Sequence, residues 1–283
     1  MGRTAAAAAL LVLLCAACSD AAPDAGPAVT STTTAAPAPG LEAEVVRLRT
    51  DVAVGGRVQV RVTDSGEEPF TVTAVAIDSP GFAPLPLTPV TAAFAPGRVI
   101  DLPTPYGEPR CSADPAPVAA RLTVLRPGGA VEDVRVPLAG DALDDVHREE
   151  CAVAGVLAVA GIVLSGLEPA GDAARGTVVL TRRADDDRAV TVTGARGSVV
   201  FDVAAEGLPV ELEAGDAEVS TALTFTPATC APHVLAETKQ PFVFPVLVAV
   251  GDAEAVPVPL PVERAQEEVF WALVAEVCGG REA

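Results

Sequence analysis

Runs in which valine alternates with polar residues occur at matching places in two halves of the chain. Residues 57–62 (RVQVRV) and 70–75 (FTVTAV) form the first set, and residues 177–181 (TVVLT) and 189–193 (AVTVT) repeat it about 120 residues later. A period of two is typical of β-strands with one buried face. We interpret the polar segment 64–69 (DSGEEP) as a hairpin loop and the segment 185–187 (DDD) as the equivalent turn. The pattern predicts a β-rich unit that is present twice.

The resemblance between the halves resumes near their ends. Residues 134–138 (VRVPL) match residues 256–260 (VPVPL), and a stretch that we predict to be helical follows each, over 141–150 and 262–277. Short strands separated by Gly, Pro and Asp are typical of a two-sheet β-sandwich. The sequence therefore predicts a mainly β protein with two tandem immunoglobulin-like β-sandwich modules from an internal duplication, each closed by a short C-terminal helix. The predicted modules are 41–151 and 152–283.

An uncharged stretch at 152–167 follows this boundary. We interpret it as the first strand of the second module, packed on both faces. A membrane helix is the alternative, although the stretch is shorter than the roughly 20 residues that span a bilayer.

The N-terminal segment has the composition of an export signal. Residues 1–17 contain one basic residue, Arg3, followed by an apolar run and small residues. Residues 13–18 (LLCAAC) resemble a bacterial lipobox, in which the cysteine is lipidated, although Cys15 stands where a lipobox usually has leucine. The resemblance implies a lipoprotein signal peptide at 1–17 and lipidation at Cys18, with plain secretion as the alternative. Residues 18–40, rich in Ala, Pro and Thr, are predicted to be a tether.

Four cysteines remain, and they occupy equivalent places in the two halves. In an oxidising compartment outside the cytoplasm, this arrangement predicts one disulfide in each module, Cys111 with Cys151 and Cys230 with Cys278. Free thiols or a bond between the modules are the alternatives.

The net charge and the positions of the two histidines argue against several classes of function. The formal net charge is -19 at pH 7, which argues against a nucleic-acid partner because phosphate binding needs a basic face. The two histidines, His147 and His233, occupy different places in the repeat, and no nucleophile with a paired base is evident. Cys230 and His233 have a spacing that could chelate a metal, but two ligands do not close a zinc site and the disulfide competes for Cys230. We therefore expect a protein without catalytic residues, metal or cofactor.

One local motif points to a family. Residues 230–239 (CAPHVLAETK) look like the C-x-P-H-x-x-A-E-x-K motif of uncharacterised secreted lipoproteins of GC-rich actinobacteria. This resemblance covers the second module and the signal, and it implies no known activity. It makes His233, Glu237 and Lys239 a candidate site. The alternative is a short helix that positions Cys230.

Together these features predict a lipid-anchored protein on the outer face of the cell membrane. Its expected role is non-catalytic binding or scaffolding in the cell envelope, with an unknown envelope protein or small ligand as partner. The alternatives are a small-ligand or metal-binding carrier that uses the second module, or an envelope hydrolase.

Overall fold

The computed structural model describes residues 38–183 and 186–279, which form two consecutive β-rich halves. The first half contains the elements β1 (Leu41–Val46), α1 (Arg49–Val54), β2 (Arg57–Asp64), β3 (Phe70–Asp78), β4 (Thr88–Phe94), β5 (Val99–Pro105), β6 (Ala119–Leu125), β7 (Val131–Ala139) and the first part of α2 (Ala142–Val159). The second half continues from α2 with β8 (Ala160–Ala170), β9 (Ala173–Arg182), β10 (Val190–Ala195), β11 (Phe201–Ala205), β12 (Val210–Leu212), β13 (Glu218–Pro227), α3 (Pro232–Glu237), β14 (Pro245–Val250), β15 (Val256–Pro259) and α4 (Arg264–Gly279). The predicted mainly β fold is confirmed.

The strands of the first half form one seven-stranded sheet. Its order is β4-β3-β6-β7-β1-β2-β5. Neighbouring strands are antiparallel except for β1 and β7, which pair in parallel through Ala43 with Leu138 and Glu44 with Ala139. The outer strands β4 and β5 contact each other. The sheet therefore curls into a nearly closed barrel around its own apolar face.

The second half contains the same strand pairs, divided between two four-stranded sheets. These sheets have the orders β12-β10-β14-β15 and β11-β13-β9-β8. The antiparallel pairs β1–β2, β2–β5, β3–β4, β3–β6 and β6–β7 correspond to β8–β9, β9–β13, β10–β12, β10–β14 and β14–β15. The two halves differ in that β8 does not pair with β15 and that β11 is an additional edge strand.

The prediction of a hairpin at residues 64–69 is wrong, although the strands predicted on both sides of this loop are confirmed. β2 pairs with β1 and β5, whereas β3 pairs with β4 and β6. β9 and β10 likewise belong to different sheets. In both cases the two consecutive strands pair with other strands and not with each other. The connection between them therefore crosses from one layer of the fold to the other.

Helix α2 corrects the interpretation of the stretch after Cys151. We predicted a strand over 152–167, but Ala152 to Val159 continue the helix and β8 begins at Ala160. The predicted module boundary between residues 151 and 152 therefore lies inside a helix of 18 residues. Val153, Val156 and Val159 recur at helical spacing, and their apolar character suits both a buried helix and a buried strand. Of the helices that the structure describes, none is long and apolar enough to span a membrane.

The strand pattern follows the alternation in the sequence. On β2, the side chains of Val58, Val60 and Val62 are fully buried in the core of the first half. The core of the second half contains a cluster of aromatic rings, in which Phe270 of α4 lies 5.0 Å from the rings of both Phe201 and Phe225. The period-two runs therefore place valine in both cores, as the sequence indicates.

Helix α2 packs into both cores. Leu143 and Val146, near its start, belong to the core of the first half, whereas Val156 and Val159, near its end, belong to that of the second. At 1.5 Å per residue the helix is about 27 Å long. Because one helix contributes to both cores, the halves are joined by a shared packed element and not by a linker.

This sharing leads to a prediction about unfolding. Leu143→Ala removes a side chain that is 1% exposed and is expected to lower the free energy of unfolding by about 2–5 kcal/mol. Since α2 belongs to both cores, scanning calorimetry should show one transition that moves as a whole to lower temperature. Val54→Ala, at a position that is 62% exposed, is the control and should shift the transition little. Two separable transitions, of which only one responds to Leu143→Ala, would contradict the shared-helix account.

Candidate functional site

The motif at residues 230–239 forms a short helix and its flanks between β13 and β14. Pro232 occupies the first turn of α3, where its missing N–H costs nothing. The hydroxyl of Thr238 donates a 2.6 Å hydrogen bond to the carbonyl of Val234 at the end of the helix. Leu235 packs against the core of the second half. The local sequence thus builds one helical turn that covers the core.

Cys230 and Cys278 are joined by a disulfide, as the sequence predicts. Their Cα atoms are 5.4 Å apart, so the chain two residues before α3 is tied to the end of α4. The bond takes Cys230 out of metal coordination, since a disulfide sulfur is not a thiolate ligand.

The other residues of the predicted motif site are not brought together by the structure. His233 and Glu237 lie four residues apart on α3, and both are exposed, as is Lys239. Among the described residues, no hydrogen bond or ion pair is formed by the side chains of these three. The part of the chain that the structure describes also contains no group of three His, Cys, Asp or Glu residues that could hold a metal ion. The motif therefore has a visible structural role in positioning Cys230.

Lys239 instead lines a cleft between the two halves. The cleft has a volume of about 580 Å³, and α1 of the first half contributes Arg49 and Thr50 to its wall. Residues 197–199 and Gln240 line it from the second half. The amide of Gln240 donates a hydrogen bond of 3.2 Å to the carbonyl of Val52 and so bridges the two walls. Sequence reasoning missed Arg49, because nothing in its local sequence connects it with residues near Lys239.

A second cleft lies beside α2. It has a volume of about 550 Å³, and Val153 of α2 and Val256 of β15 provide apolar lining. Arg47 and Glu149 also line it and form an ion pair of 2.7 Å. Its other arginine, Arg148, forms an ion pair of 2.9 Å with Asp145 outside the lining, so both cations of this cleft already have acidic partners.

The side chain of His147 is buried near the other disulfide. Cys111 and Cys151 are bonded with a Cα separation of 5.4 Å, again as the sequence predicts. His147, one turn before Cys151, is 9% exposed, and its Nε2 lies 3.3 Å from the carbonyl oxygen of Arg110. Since a carbonyl can only accept, Nε2–H is the donor. The ring of Phe82 contacts the imidazole edge-on at 5.4 Å.

The chain's single tyrosine is held in the same region. The hydroxyl of Tyr106 donates a 3.0 Å hydrogen bond to Oε1 of Glu150 on α2. Burial of the phenol, together with the adjacent negative charge of Glu150, raises the pKa of Tyr106 to about 12. Both effects disfavour a tyrosinate at this position.

Cys18, the predicted lipidation site, lies outside the described residues. So do the predicted signal peptide and nearly all of the predicted tether.

Comparisons with known proteins assign no family. No family model matches the chain, and no curated protein matches it. Among solved structures, red sea bream transglutaminase aligns with 80% of this chain and 32% of its own, at 11% identity and a TM-score of 0.22. The secreted serine protease VesC from Vibrio cholerae aligns with 77% of this chain and 51% of its own, at 11% identity and a TM-score of 0.19. The chain thus spans at most about half the length of these proteins, and the likeness is too distant to support an argument about function.

The environment of Tyr106 can be tested by titration. Because the chain has one tyrosine, the near-ultraviolet absorbance of tyrosinate after a rapid pH jump reports Tyr106 alone. We expect a midpoint at about pH 12, well above the ordinary value of about 10. The stability that the buried neutral phenol contributes should be present below about pH 10 and should be lost as the pH rises through 12.

Glu150→Gln is the matched variant for this titration. It should lower the midpoint without returning it to the ordinary value, because burial is the larger cause of the shift. A native midpoint near 10 would contradict the described burial and hydrogen bond of Tyr106.

The structural role of the motif can be tested separately. Replacing Cys230 and Cys278 together by serine opens a loop closed over 48 residues and should lower the free energy of unfolding by about 4 kcal/mol. His233→Ala, at an exposed position, should change it by less than about 0.5 kcal/mol. Guanidinium unfolding under oxidising conditions measures both. Comparable losses in the two variants would show that His233 has a structural role that its exposure does not explain.

Proposed function

We propose that this protein works outside the cytoplasm as a lipid-anchored binding or scaffolding protein of the cell envelope. The observation that carries the proposal is the pair of disulfides, Cys111 with Cys151 and Cys230 with Cys278. Structural disulfides of this kind persist in oxidising compartments and are rare in the cytosol. The lipobox-like residues before Cys18 supply the anchor in this proposal, and the residues between Cys18 and β1 supply the tether.

The strand order supports an immunoglobulin-like interpretation of both halves. In each half, one layer contains the first, second and fifth of the common strands, and the other contains the third, fourth, sixth and seventh. An immunoglobulin sandwich of the constant type divides its seven strands in the same way, except that its fourth strand lies in the layer of the first, second and fifth. We interpret the recurrence of the same antiparallel pairs as the result of an internal duplication. Such modules are used widely for binding on cell surfaces.

The shared helix supports a binding or scaffolding role. Because α2 packs into both cores, the surfaces of the two halves are held at a fixed separation and angle. Clefts at the junction, including the one lined by Arg49 and Lys239, then have a fixed shape. Small ligands bind preferentially at pre-formed concave surfaces, often where two domains meet.

The alternative of a metal carrier in the second half is disfavoured by Cys230. Its sulfur is bonded to Cys278 and is therefore not a metal ligand. His233 would have to bind a metal without Cys230. No geometric feature of the described residues favours the hydrolase alternative over the binding role.

Lipidation at Cys18 can be tested by expressing the chain with its own signal in a bacterial host that processes lipoproteins. We expect the mature protein to partition into the detergent phase of a cloud-point separation and its first residue to be an acylated Cys18, as seen by mass spectrometry. Cys18→Ala should abolish both results. Thr30→Ala is the matched control and should leave both unchanged, because Thr30 belongs to the predicted tether and lies outside the lipobox-like residues.

Two outcomes would refute the anchor. One is a mature N-terminus after Cys18, and the other is an unchanged detergent-phase fraction in Cys18→Ala. Recovery of the four remaining cysteines as free thiols from the native host would refute the extracytoplasmic location.

A further inference from the structure

We propose that the cleft lined by Arg49 and Lys239 binds a phosphate-bearing ligand. The proposal deepens the binding role proposed above and rests on it. It starts from the observation that each half contributes one cation to a common, open cleft of about 580 Å³.

The two cations are free to bind an external anion. Arg49 and Lys239 are both exposed, and among the described residues neither forms an ion pair within 4.0 Å. Lys239 is the only lysine of the chain. The chain has twice as many acidic as basic residues. A cleft lined by two cations without acidic partners therefore differs from the acidic composition of the chain.

The acidic residues nearest in sequence do not neutralise the cleft. Asp51 follows Arg49 by two residues, but its carboxylate is buried and accepts hydrogen bonds from the backbone of Leu48 and from the side chains of Arg57 and Gln59. Glu237 lies on α3 outside the cleft lining. The described residues that line the cleft include no Asp or Glu. The lining therefore carries two positive charges and no negative charge.

The walls of the cleft are held in place before any ligand binds. The hydroxyl of Ser198 accepts hydrogen bonds from the backbone N–H groups of Val200 and Phe201 and donates a 2.6 Å bond to the carbonyl of Pro241. These bonds fix the loop that carries Val199, and Gln240 bridges to α1 through the carbonyl of Val52. A pre-organised site loses less conformational entropy on binding.

The chemistry of the lining favours a phosphoryl group. The planar fork of arginine binds two oxygens of one anion, and the ammonium of lysine supplies a compact second charge. A phosphate monoester carries close to two negative charges near neutral pH and three acceptor oxygens, which matches two cations and the hydroxyl of Thr50. Val199, which is 65% exposed, and Val243 give apolar contact for the body that carries the phosphate.

The experiment uses the full chain purified in a nonionic detergent. Equilibrium dialysis with radiolabelled inorganic phosphate and with radiolabelled glycerol 3-phosphate should show saturable binding at one site, weakened by added sodium chloride. Arg49→Ala and Lys239→Ala should each weaken binding about tenfold, the loss expected for one charge-assisted hydrogen bond, and the double variant should abolish it. Arg264→Ala is the matched control, because this exposed arginine of α4 lies outside the cleft lining, and binding should be unchanged.

Two further arms identify the source and class of the anion. Phosphatidic acid, a lipid whose headgroup is a phosphate monoester, should displace glycerol 3-phosphate when added to the micelles if the natural source is a lipid headgroup, and failure to displace it assigns a free phosphate ester. Succinate should compete poorly, and competition equal to that of phosphate would overturn the phosphate assignment.

Absence of saturable binding, or binding that survives the double variant, would overturn the inference. Neither result bears on acylation of Cys18 or on the disulfides, so failure of this site and failure of the proposed function can be told apart.

Discussion

The packing of a single helix into two hydrophobic cores determines how the halves of this protein are arranged. Val146 and Val156 of α2 are buried in different cores. Ten positions separate them, which at 3.6 residues per turn rotates one apolar face relative to the other by about 80°. The helix therefore sets both the distance and the rotation between the halves. Cys151, in the middle of α2, bonds Cys111 and ties the same helix to the first half covalently.

Strand positions were predictable from the sequence, but strand partners were not. The alternation of valine with polar residues located β2, β3, β9 and β10, because it reflects the local requirement that one face of a strand be buried. Partner choice depends on residues far along the chain. β2 pairs with β5, on the other side of the β3–β4 hairpin. A short polar loop is compatible with a hairpin and with a crossing between layers, so the loop after Asp64 could not distinguish them.

The disulfides could be predicted from the sequence, whereas the extent of α2 and the meeting of two cations in one cleft could not. The disulfides were predictable because a repeated sequence places equivalent cysteines at equivalent positions. The extent of α2 was not predictable, because the uncharged residues from Ala152 to Val159 suit a buried strand as well as a buried helix. Lys239 was noticed for its motif, but its partner in the cleft, Arg49, comes from the other half of the chain. Only the fold brings these two cations to one surface.

The position of β1 within its sheet has a mechanical consequence. β1 is the first strand of the described chain, yet it lies inside the sheet, between β2 and β7. Its six residues are all in register with β2, and it adds the parallel pairing with β7. A pull along β1 through the residues before Leu41 would therefore load the hydrogen bonds to both neighbours together in shear. An edge strand at the same place would be held by one neighbour only.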